Sequence, residues 1–276
     1  MNTRDKGLEN AVATNPIDQA IPDVQSTIDT RHIAIQSVGI RSVKYPVLIE
    51  LQGQKPMPSV AEFEMTVFLP ADQKGTHMSR FIALLEEAQG NVLTVSGFRA
   101  MLVEMLQRLD APSGRIKMAL PYFLSKVAPI SGVSSLMDYQ LTLEGSATEA
   151  GQDIYLTVVV PVTSLCPCSK KISEYGAHNQ RSHVTARVQL KEDVDIAQFI
   201  SAIEQQASCE LYGLLKRPDE KYVTERAYDN PKFVEDLVRD VAIAMNKFTQ
   251  VGQYTVEAEN FESIHNHSAY ARIDRA

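Results

Sequence analysis

Reactive side chains are concentrated in one short stretch of the sequence, between Cys166 and Ser182. The stretch contains two of the three cysteines, one histidine and the basic residues Lys170, Lys171 and Arg181, with few apolar residues between them. Regular strand-like patterns flank it on both sides. Reactive groups on a loop between regular elements are typical of an active site. We therefore predict that this stretch is a catalytic loop.

Cys166 and Cys168 offer thiols to a metal, to catalysis or to a disulfide bond. Only Pro167 separates them, whereas cysteines that chelate one zinc ion usually have at least about two intervening residues. One thiol could bind a metal while the other acts beside it. The two could also form a strained, reducible disulfide, or lie buried as apolar groups. Lys170 and Lys171 favour an exposed, electropositive loop with reactive thiols.

Further candidate ligands lie later in the chain. His178 follows Cys166 by twelve positions, so a loop that folds back would bring them together, although a histidine satisfied by the backbone is the alternative. Glu220 stands in a polar stretch and, by itself, is typical of a solvated carboxylate. His265 and His267 flank Asn266 in an extended segment, where both would point the same way or simply face solvent.

Two charged residues stand near predicted helix starts. Glu235 follows Pro231 by one turn, where a carboxylate complements the helix dipole or accepts hydrogen bonds from a ligand with two adjacent N–H groups. Arg80 belongs to the polar cluster Gly75–Phe81, which could bind an anion or simply cap a helix. Cys209 ends an amphipathic pattern and is predicted to be part of the core.

Length and composition restrict the class of protein. The 276 residues, 44% apolar and 22% charged, are typical of a globular protein with one large domain or two small ones. A net charge of −7 argues against a general nucleic-acid-binding surface. We find neither an apolar run of about 20 residues nor a signal-peptide pattern. Three cysteines do not make a disulfide framework, so a reducing, cytoplasmic setting is expected.

The spacing of apolar residues predicts the scaffold. Residues 1–30 show no periodicity and are predicted to be a flexible N-terminal tail. Residues 31–150 read as strand, strand, helix, helix, strand, strand, and residues 151–276 repeat that order and carry most reactive residues. Each half is thus predicted to be a ββααββ unit of an α+β protein, with antiparallel sheets and helices on one face. Free sheet edges predict oligomerisation.

Several long motifs, in a fixed order, resemble those of the prokaryotic GTP cyclohydrolase IB family. The similarity runs from about residue 25 to the C-terminus. The motifs that carry it are Gly75–Phe81, Ser164–Lys170, Tyr175–Ser182, Arg217–Glu220, Pro231–Asp236 and Ile264–His267. No glycine-rich phosphate loop, GxGxxG or HExxH motif competes with this interpretation.

The resemblance implies a tunnelling fold with two ββααββ units per chain, and a homotetramer with its sites between subunits. It implies conversion of GTP and water to 7,8-dihydroneopterin triphosphate and formate, the entry step of folate synthesis. It also implies a divalent metal cofactor, for which manganese, iron and zinc are candidates. Partners other than GTP and further copies of the chain, such as nucleic acid or membrane, are not expected.

At the matching positions, Cys166 resembles the thiolate ligand of the metal, with Glu220 and His265 completing the site. His178 resembles either a further ligand or the acid that protonates purine N7. Cys168 resembles a nearby proton-transfer or redox-sensitive thiol. Opening the purine imidazole requires water at C8 and a proton at N7, and a metal that lowers the pKa of water toward ~7 would supply the first.

Glu235 resembles the purine anchor, because guanine presents N1–H and its 2-amino group side by side to one carboxylate. Candidates for binding the triphosphate are Lys170, Lys171, Arg181 and Arg80. Two other functions compete with this one. Another enzyme of the same fold could act on a pterin or a deazapurine; the nitrile-reducing kind uses a cysteine nucleophile rather than a metal and would be insensitive to chelators. A non-catalytic metal-binding or thiol-sensing protein would not turn over GTP.

Overall fold

The computed structural model describes residues 23–276, apart from residues 26, 52 and 54. Most of the tail predicted for residues 1–30 lies outside the described residues. Within its described end, Ile28 forms an isolated antiparallel bridge with Gln73. No helix in the described part of the chain is both long and apolar enough to cross a membrane.

Ten strands and six helices are described. The strands are β1 (Ile35–Ile49), β2 (Met57–Leu69), β3 (Val92–Leu93), β4 (Gly114–Val127), β5 (Ser134–Thr148), β6 (Gly151–Leu165), β7 (Asn179–Leu190), β8 (Cys209–Glu210), β9 (Val251–Asn260) and β10 (Ala269–Arg275). The helices are α1 (Met78–Ala88), α2 (Val95–Leu109), α3 (Pro167–Ile172), α4 (Ile196–Glu204), α5 (Arg217–Asp229) and α6 (Val234–Met245).

All ten strands belong to one sheet. Its order is β10-β9-β7-β6-β5-β4-β2-β1-β3, and β8 pairs with β6 outside this path. Neighbouring strands are antiparallel except β1 and β3, which are parallel, so the sheet is mixed. The alternation of apolar and polar residues that predicts strands in the sequence reflects this sheet, since one face is buried and the other is half exposed.

The predicted fold class, a tunnelling fold of two ββααββ units with separate antiparallel sheets, is wrong. The structure is a single mixed sheet, because the last strand of the first half pairs directly with the first strand of the second half. A tight turn joins β5 to β6, with Thr148 opposite Gly151. Gly151 has a φ of 142°, which a residue without a Cβ adopts at little cost. The boundary predicted at residues 150 and 151 falls in this turn and stays a prediction.

Four helices cover one face of the sheet. Apolar residues of α1, α2, α4 and α6 and the inward residues of the strands form one continuous core. Phe98 of α2, Phe199 of α4 and Val241 of α6 are fully buried in it. The sequence pattern does not predict α3, α5, β3 or β8. Helix α6 begins at Val234 rather than at Pro231.

The two ends of the sheet differ in what they carry. One end, here called the Cys166 end, holds the β4–β5 turn (128–133), the β6–β7 loop (166–178) and the β9–β10 loop (261–268). The opposite end, here called the His77 end, holds the connections from β2 to α1 (70–77) and from β7 to α4 (191–195). The strand register fixes which loops can meet.

Candidate active site

The loop 166–178 closes the hairpin between β6 and β7. Beyond the last strand pair, the Cys166 N–H donates to the His178 carbonyl at 3.1 Å. The Ser169 hydroxyl donates to the Cys166 carbonyl at 3.1 Å and accepts from the His178 N–H at 3.2 Å. The loop therefore folds back so that Cys166 and His178 meet through their backbones.

The two thiols of this loop are both free. Cys166 is half-buried just before α3, and Cys168 is exposed in the first turn of that helix. Pro167 begins α3, a position where its fixed φ suits the helix and its missing N–H costs nothing. The Lys170 N–H closes the first turn on the Cys166 carbonyl at 3.2 Å. The short helix therefore fixes the backbone on which Cys166 stands.

The ring of His178 is held through one of its nitrogens. Nδ1 lies 3.0 Å from Gln180 Oε1, 3.4 Å from Ser263 Oγ and 4.0 Å from Glu262 Oε2. The His178 and Glu262 side chains are only 14% and 13% exposed. Because these contacts use Nδ1, Nε2 is left for a ligand or a proton transfer. This arrangement suits both roles that the sequence left open for His178.

Glu262 is a candidate functional residue that the sequence reasoning missed. It comes near His178 because β9 pairs with β7, with Asn260 opposite Ser182, and because the Phe261 N–H donates to the Arg181 carbonyl at 3.0 Å. Its only signal in the sequence is its place two residues before the Ile264–His267 motif. A third carboxylate is thus available at the Cys166 end.

Other histidines also lie near the Cys166 end: His265 and His267 in the β9–β10 loop, and His183 in β7. His265 and His267 are exposed, with stacked rings 5.1 Å apart, so their side chains point the same way and also face solvent, as both sequence readings allow. His183 packs edge-on against Phe261, with ring centroids 4.9 Å apart. Burial lowers the pKa of His183, and the positive charge of Arg181 lowers it further. His183 is therefore held in its neutral form more firmly than an exposed histidine.

Helix α5 crosses the Cys166 end from the β4–β5 turn to α3. At the C-terminal end of α5, the Lys170 ammonium donates to the Tyr228 carbonyl and lies 4.2 Å from the centre of the Tyr228 ring. Glu220 is exposed in the first turn of α5. At 1.5 Å per residue it stands about 12 Å along the helix axis from Tyr228. Glu220 is thus on the same end of the sheet as Cys166, but across it.

Helix α6 begins beside Cys166, because the Lys232 N–H donates to the Leu165 carbonyl at 3.1 Å. Glu235 is exposed in its first turn, and within the described residues its carboxylate makes no hydrogen bond or ion pair. Its neighbour Asp236 accepts the Phe233 N–H at 3.4 Å and so serves the helix start. Glu235 is free to meet a ligand.

The basic candidates are not equivalent. Lys171 and Arg181 are exposed at the Cys166 end, whereas Lys170 is engaged with Tyr228. Arg80 lies at the His77 end, where it donates to the Arg108 carbonyl at 2.7 Å. Fourteen residues of extended chain along β6, about 45 Å, separate the two ends. One chain therefore cannot bring Arg80 to Cys166.

The Gly75–Phe81 cluster lines its own cavity at the His77 end. This open cavity, with a volume of about 690 Å³ that includes its mouth, lies beside Thr76, His77 and Arg80. His77 Nε2 also lies 3.3 Å from Asp23 Oδ2. Helix α1 starts here without a side-chain cap. The cluster is thus a helix start with a cavity, remote from the other motifs within one chain.

The donor chemistry of the Cys166 end suits a divalent metal, since it offers thiolate, imidazole and carboxylate groups. Their arrangement within a single chain is incomplete. Nowhere in the described ranges do three His, Cys, Asp or Glu side chains lie where they could hold one ion. The predicted convergence of Cys166, His178, Glu220 and His265 is therefore not seen within one chain.

Comparison with known proteins defines the class. A family model described as "Type I GTP cyclohydrolase folE2" matches residues 21–271, and the chain belongs to this family. The predicted function, a GTP cyclohydrolase I of the folate pathway, is thereby confirmed, as is its membership of the hydrolases. The comparisons specify the FolE2 type; they do not use the IB designation expected from the motifs.

Curated relatives cover nearly the whole chain. The GTP cyclohydrolase FolE2 of Burkholderia ambifaria (strain MC40-6) is 60% identical over 255 residues, which are 92% of this chain and 94% of that protein. The protein of the same name from Janthinobacterium sp. (strain Marseille) is 59% identical over 275 residues, or 99% and 98% of the two chains.

Among solved structures, a uricase from Arthrobacter globiformis aligns over 87% of this chain and 93% of that one, with a TM-score of 0.46 and 8% sequence identity. A urate oxidase from Bacillus subtilis gives the same TM-score of 0.46, also at 8% identity. Likeness at this level carries no argument about function.

Proposed function

We propose that this protein hydrolyses GTP to 7,8-dihydroneopterin triphosphate and formate with a bound divalent metal, as a cytoplasmic homotetramer. The proposal includes that this enzyme is of the IB type, which its sequence motifs resemble. The observation that supports it most is the placement of Cys166, His178 and Glu235 at one end of the sheet. Each of these residues belongs to a motif that resembles the family's, and each offers an atom to a ligand.

In the proposed site, Cys166, Glu220 and His265 hold the metal, with His178 as a further ligand or as an acid. Mn²⁺, Fe²⁺ and Zn²⁺ all accept mixed sulfur, nitrogen and oxygen donors. When bound, the metal would supply an activated water for attack at purine C8. Because one chain does not gather these donors, the proposal includes a neighbouring copy that completes the site. The Glu262 carboxylate beside His178 joins the set of candidates.

The proton for purine N7 comes from His178 in this proposal. Imidazole ordinarily titrates near neutral pH, which suits proton transfer in both directions. Gln180 holds Nδ1 at 3.0 Å, so Nε2 faces the reaction. The exposed thiol of Cys168, two residues after Cys166, is the proposed second proton-transfer group. A second hydrolysis releases formate, and the ribose then rearranges and closes the pterin ring.

Guanine is bound by Glu235 in this proposal. The carboxylate has no partner within the described residues, and it accepts both N1–H and the 2-amino group of guanine. Lys171 and Arg181 are the proposed partners of the triphosphate in the same chain, and Lys170 joins them only by leaving Tyr228. Arg80 contributes only from a neighbouring copy, because of its distance from Cys166.

The experiment is a direct assay of GTP turnover. The purified protein, stripped with a chelator and reloaded with Mn²⁺, Fe²⁺ or Zn²⁺, is incubated with GTP. Formate is measured, and the pterin is detected by its fluorescence after oxidation. The proposal expects both products in equal amounts, their loss on chelation and their return with metal. Absence of both products with all three metals would contradict it.

A further inference from the structure

Asp219, the residue before Glu220, is a fully buried carboxylate at the Cys166 end. Its Oδ1 accepts the backbone N–H groups of Ile130 and Ser131, each at 2.8 Å. Its Oδ2 accepts the Ser131 hydroxyl at 2.6 Å and the Lys216 N–H at 2.9 Å. Each oxygen therefore takes two hydrogen bonds, and the carboxylate is fully used within the chain.

These bonds join two elements that are distant in the sequence. Ile130 and Ser131 form the tip of the β4–β5 turn, where tight backbone geometry leaves N–H groups without strand partners. Lys216 precedes the first residue of α5, whose first N–H groups also lack partners in the helix. One carboxylate thus satisfies both a turn and a helix start.

The charge on Asp219 is stabilised by this arrangement. A buried carboxylate is unfavourable unless it is hydrogen-bonded, and here four hydrogen bonds from Ile130, Ser131 and Lys216 compensate its burial. Removing such a carboxylate leaves several buried N–H groups unpaired, which is costly. An ordinary helix cap makes fewer hydrogen bonds: at the start of α6, Asp236 accepts a single one, from the Phe233 N–H at 3.4 Å.

The free neighbour of Asp219 is Glu220, which is exposed and makes no side-chain hydrogen bond or ion pair within residues that the structure describes. The backbone that carries Glu220 is fixed on one side by Asp219. On the other side, the Glu220 carbonyl accepts the Thr224 hydroxyl at 2.7 Å. Glu220 is thus a free carboxylate on a firmly held turn.

We propose that Asp219 is a positioning residue for Glu220: it locks the first turn of α5 onto the β4–β5 turn, so that the Glu220 carboxylate stands at a fixed place on the Cys166 end. This inference rests on the proposed function, in which Glu220 takes part in GTP hydrolysis. It adds a residue that acts only through another side chain and does not touch the substrate.

The test is a double-mutant cycle on GTP turnover with Asp219→Asn and Glu220→Ala. Asparagine keeps the volume but cannot accept from all three backbone N–H groups at once, because its amide nitrogen replaces one acceptor. We expect Asp219→Asn to lower kcat about 10- to 100-fold with KM for GTP nearly unchanged. We expect the double variant to be no slower than Glu220→Ala alone.

Amide hydrogen exchange supplies a second readout, with faster exchange expected in residues 128–133 and 216–222 of Asp219→Asn only. Asp195→Ala is the control, because Asp195 caps a different helix, α4, by accepting the Ala197 N–H at 3.0 Å. It removes the cap of another helix, and its effect on kcat should be less than about twofold.

Should Asp219→Asn fail to fold, Ser131→Ala replaces it, because it removes the 2.6 Å hydroxyl bond to Asp219 and otherwise only a 3.5 Å contact from the Val133 N–H. It is expected to lower kcat a few-fold in the wild-type background and not at all in Glu220→Ala. If Asp219→Asn or Ser131→Ala lowers kcat in the Glu220→Ala background as much as it does in the wild-type background, the inference is wrong. The role of Glu220 is unaffected by that result. Full turnover of Glu220→Ala would instead overturn the proposed role of Glu220, and the inference with it.

Discussion

The two ends of the sheet use polar residues in different ways. At the His77 end, Arg80 and Arg99 each donate to a backbone carbonyl, and His77 Nε2 contacts the Asp23 carboxylate. At the Cys166 end, Glu220 and Glu235 have no side-chain partners in the described ranges, although Asp219 and Asp236 beside them do. Both glutamate carboxylates are exposed, so water can solvate them, and they remain available to a ligand or to a second copy of the chain.

The largest expected effect tests whether chemistry belongs to the Cys166 end at all. His178→Ala is expected to lower kcat about 100- to 10,000-fold, the usual range for a lost general acid, and Cys166→Ala by at least as much. The matched control is Cys209→Ala. Burial raises the pKa of the Cys209 thiol to about 11, so this thiol is inert, and the variant should keep turnover within about twofold. Near-normal turnover of Cys166→Ala would show that catalysis does not depend on the Cys166 end.

The next effect separates the free acids from those that serve the fold. Glu235→Gln is expected to lower kcat/KM for GTP about 100-fold, because hydrogen bonds to a charged acceptor are each worth roughly 1.5–3 kcal/mol. Inosine triphosphate lacks the 2-amino group, so the same variant should lose less with that substrate. Asp236→Asn, which weakens only a helix start, should cost stability and not specificity. Equal losses with both nucleotides would show that Glu235 does not read guanine.

Arg80→Ala asks whether the His77 end joins the site through a neighbouring copy. If it does, we expect KM for GTP to rise about tenfold with little change in kcat, since only substrate binding is lost. Arg99→Ala is the matched control, because Arg99 also donates to a carbonyl at that end, that of Leu190, at 2.9 Å. If KM for GTP is the same in Arg80→Ala, Arg99→Ala and the wild type, the substrate contacts only the Cys166 end.

The smallest expected effect concerns stability at the Cys166 end. The lowered pKa of His183 means that the folded protein binds fewer protons than the unfolded chain between that pKa and the ordinary histidine value of about 6.5. The contribution of His183 to stability is therefore complete above about pH 6.5 and is lost as the pH falls through the folded pKa. The free energy of unfolding, measured with urea at several pH values across this range, should depend less steeply on pH in His183→Gln than in the wild type. An identical pH dependence of the two proteins would refute the assignment.

The strands were predictable from the sequence, but their pairing was not. Alternation in residues such as Ile116, Met118 and Leu120 predicts a half-buried strand wherever it occurs. It does not specify the neighbour, so the pairing of β5 with β6 was missed and two sheets were expected in place of one. Helix α5 was missed because only Asp219 and Ala227 are buried in it, which leaves no apolar stripe to detect.

The candidate site shows the same limit. Cys166 and His178 are close in sequence, and the hairpin that joins them made their meeting predictable. Glu262 lies 84 residues beyond His178, and only the pairing of β7 with β9 brings the two together. Side chains that meet through strand pairing leave no local pattern. The separation of Arg80 from Cys166 was unpredictable for the same reason, since it follows from the register of four strands.

The most direct test of the account is to locate the metal in crystals of the loaded protein by anomalous X-ray scattering. The account predicts a peak within about 2.3 Å of Cys166 Sγ, the usual zinc–sulfur distance, with Glu220 or Glu262 and a histidine from the same or a neighbouring copy around it. A metal bound at the His77 end, with nothing bonded to Cys166, would contradict the account.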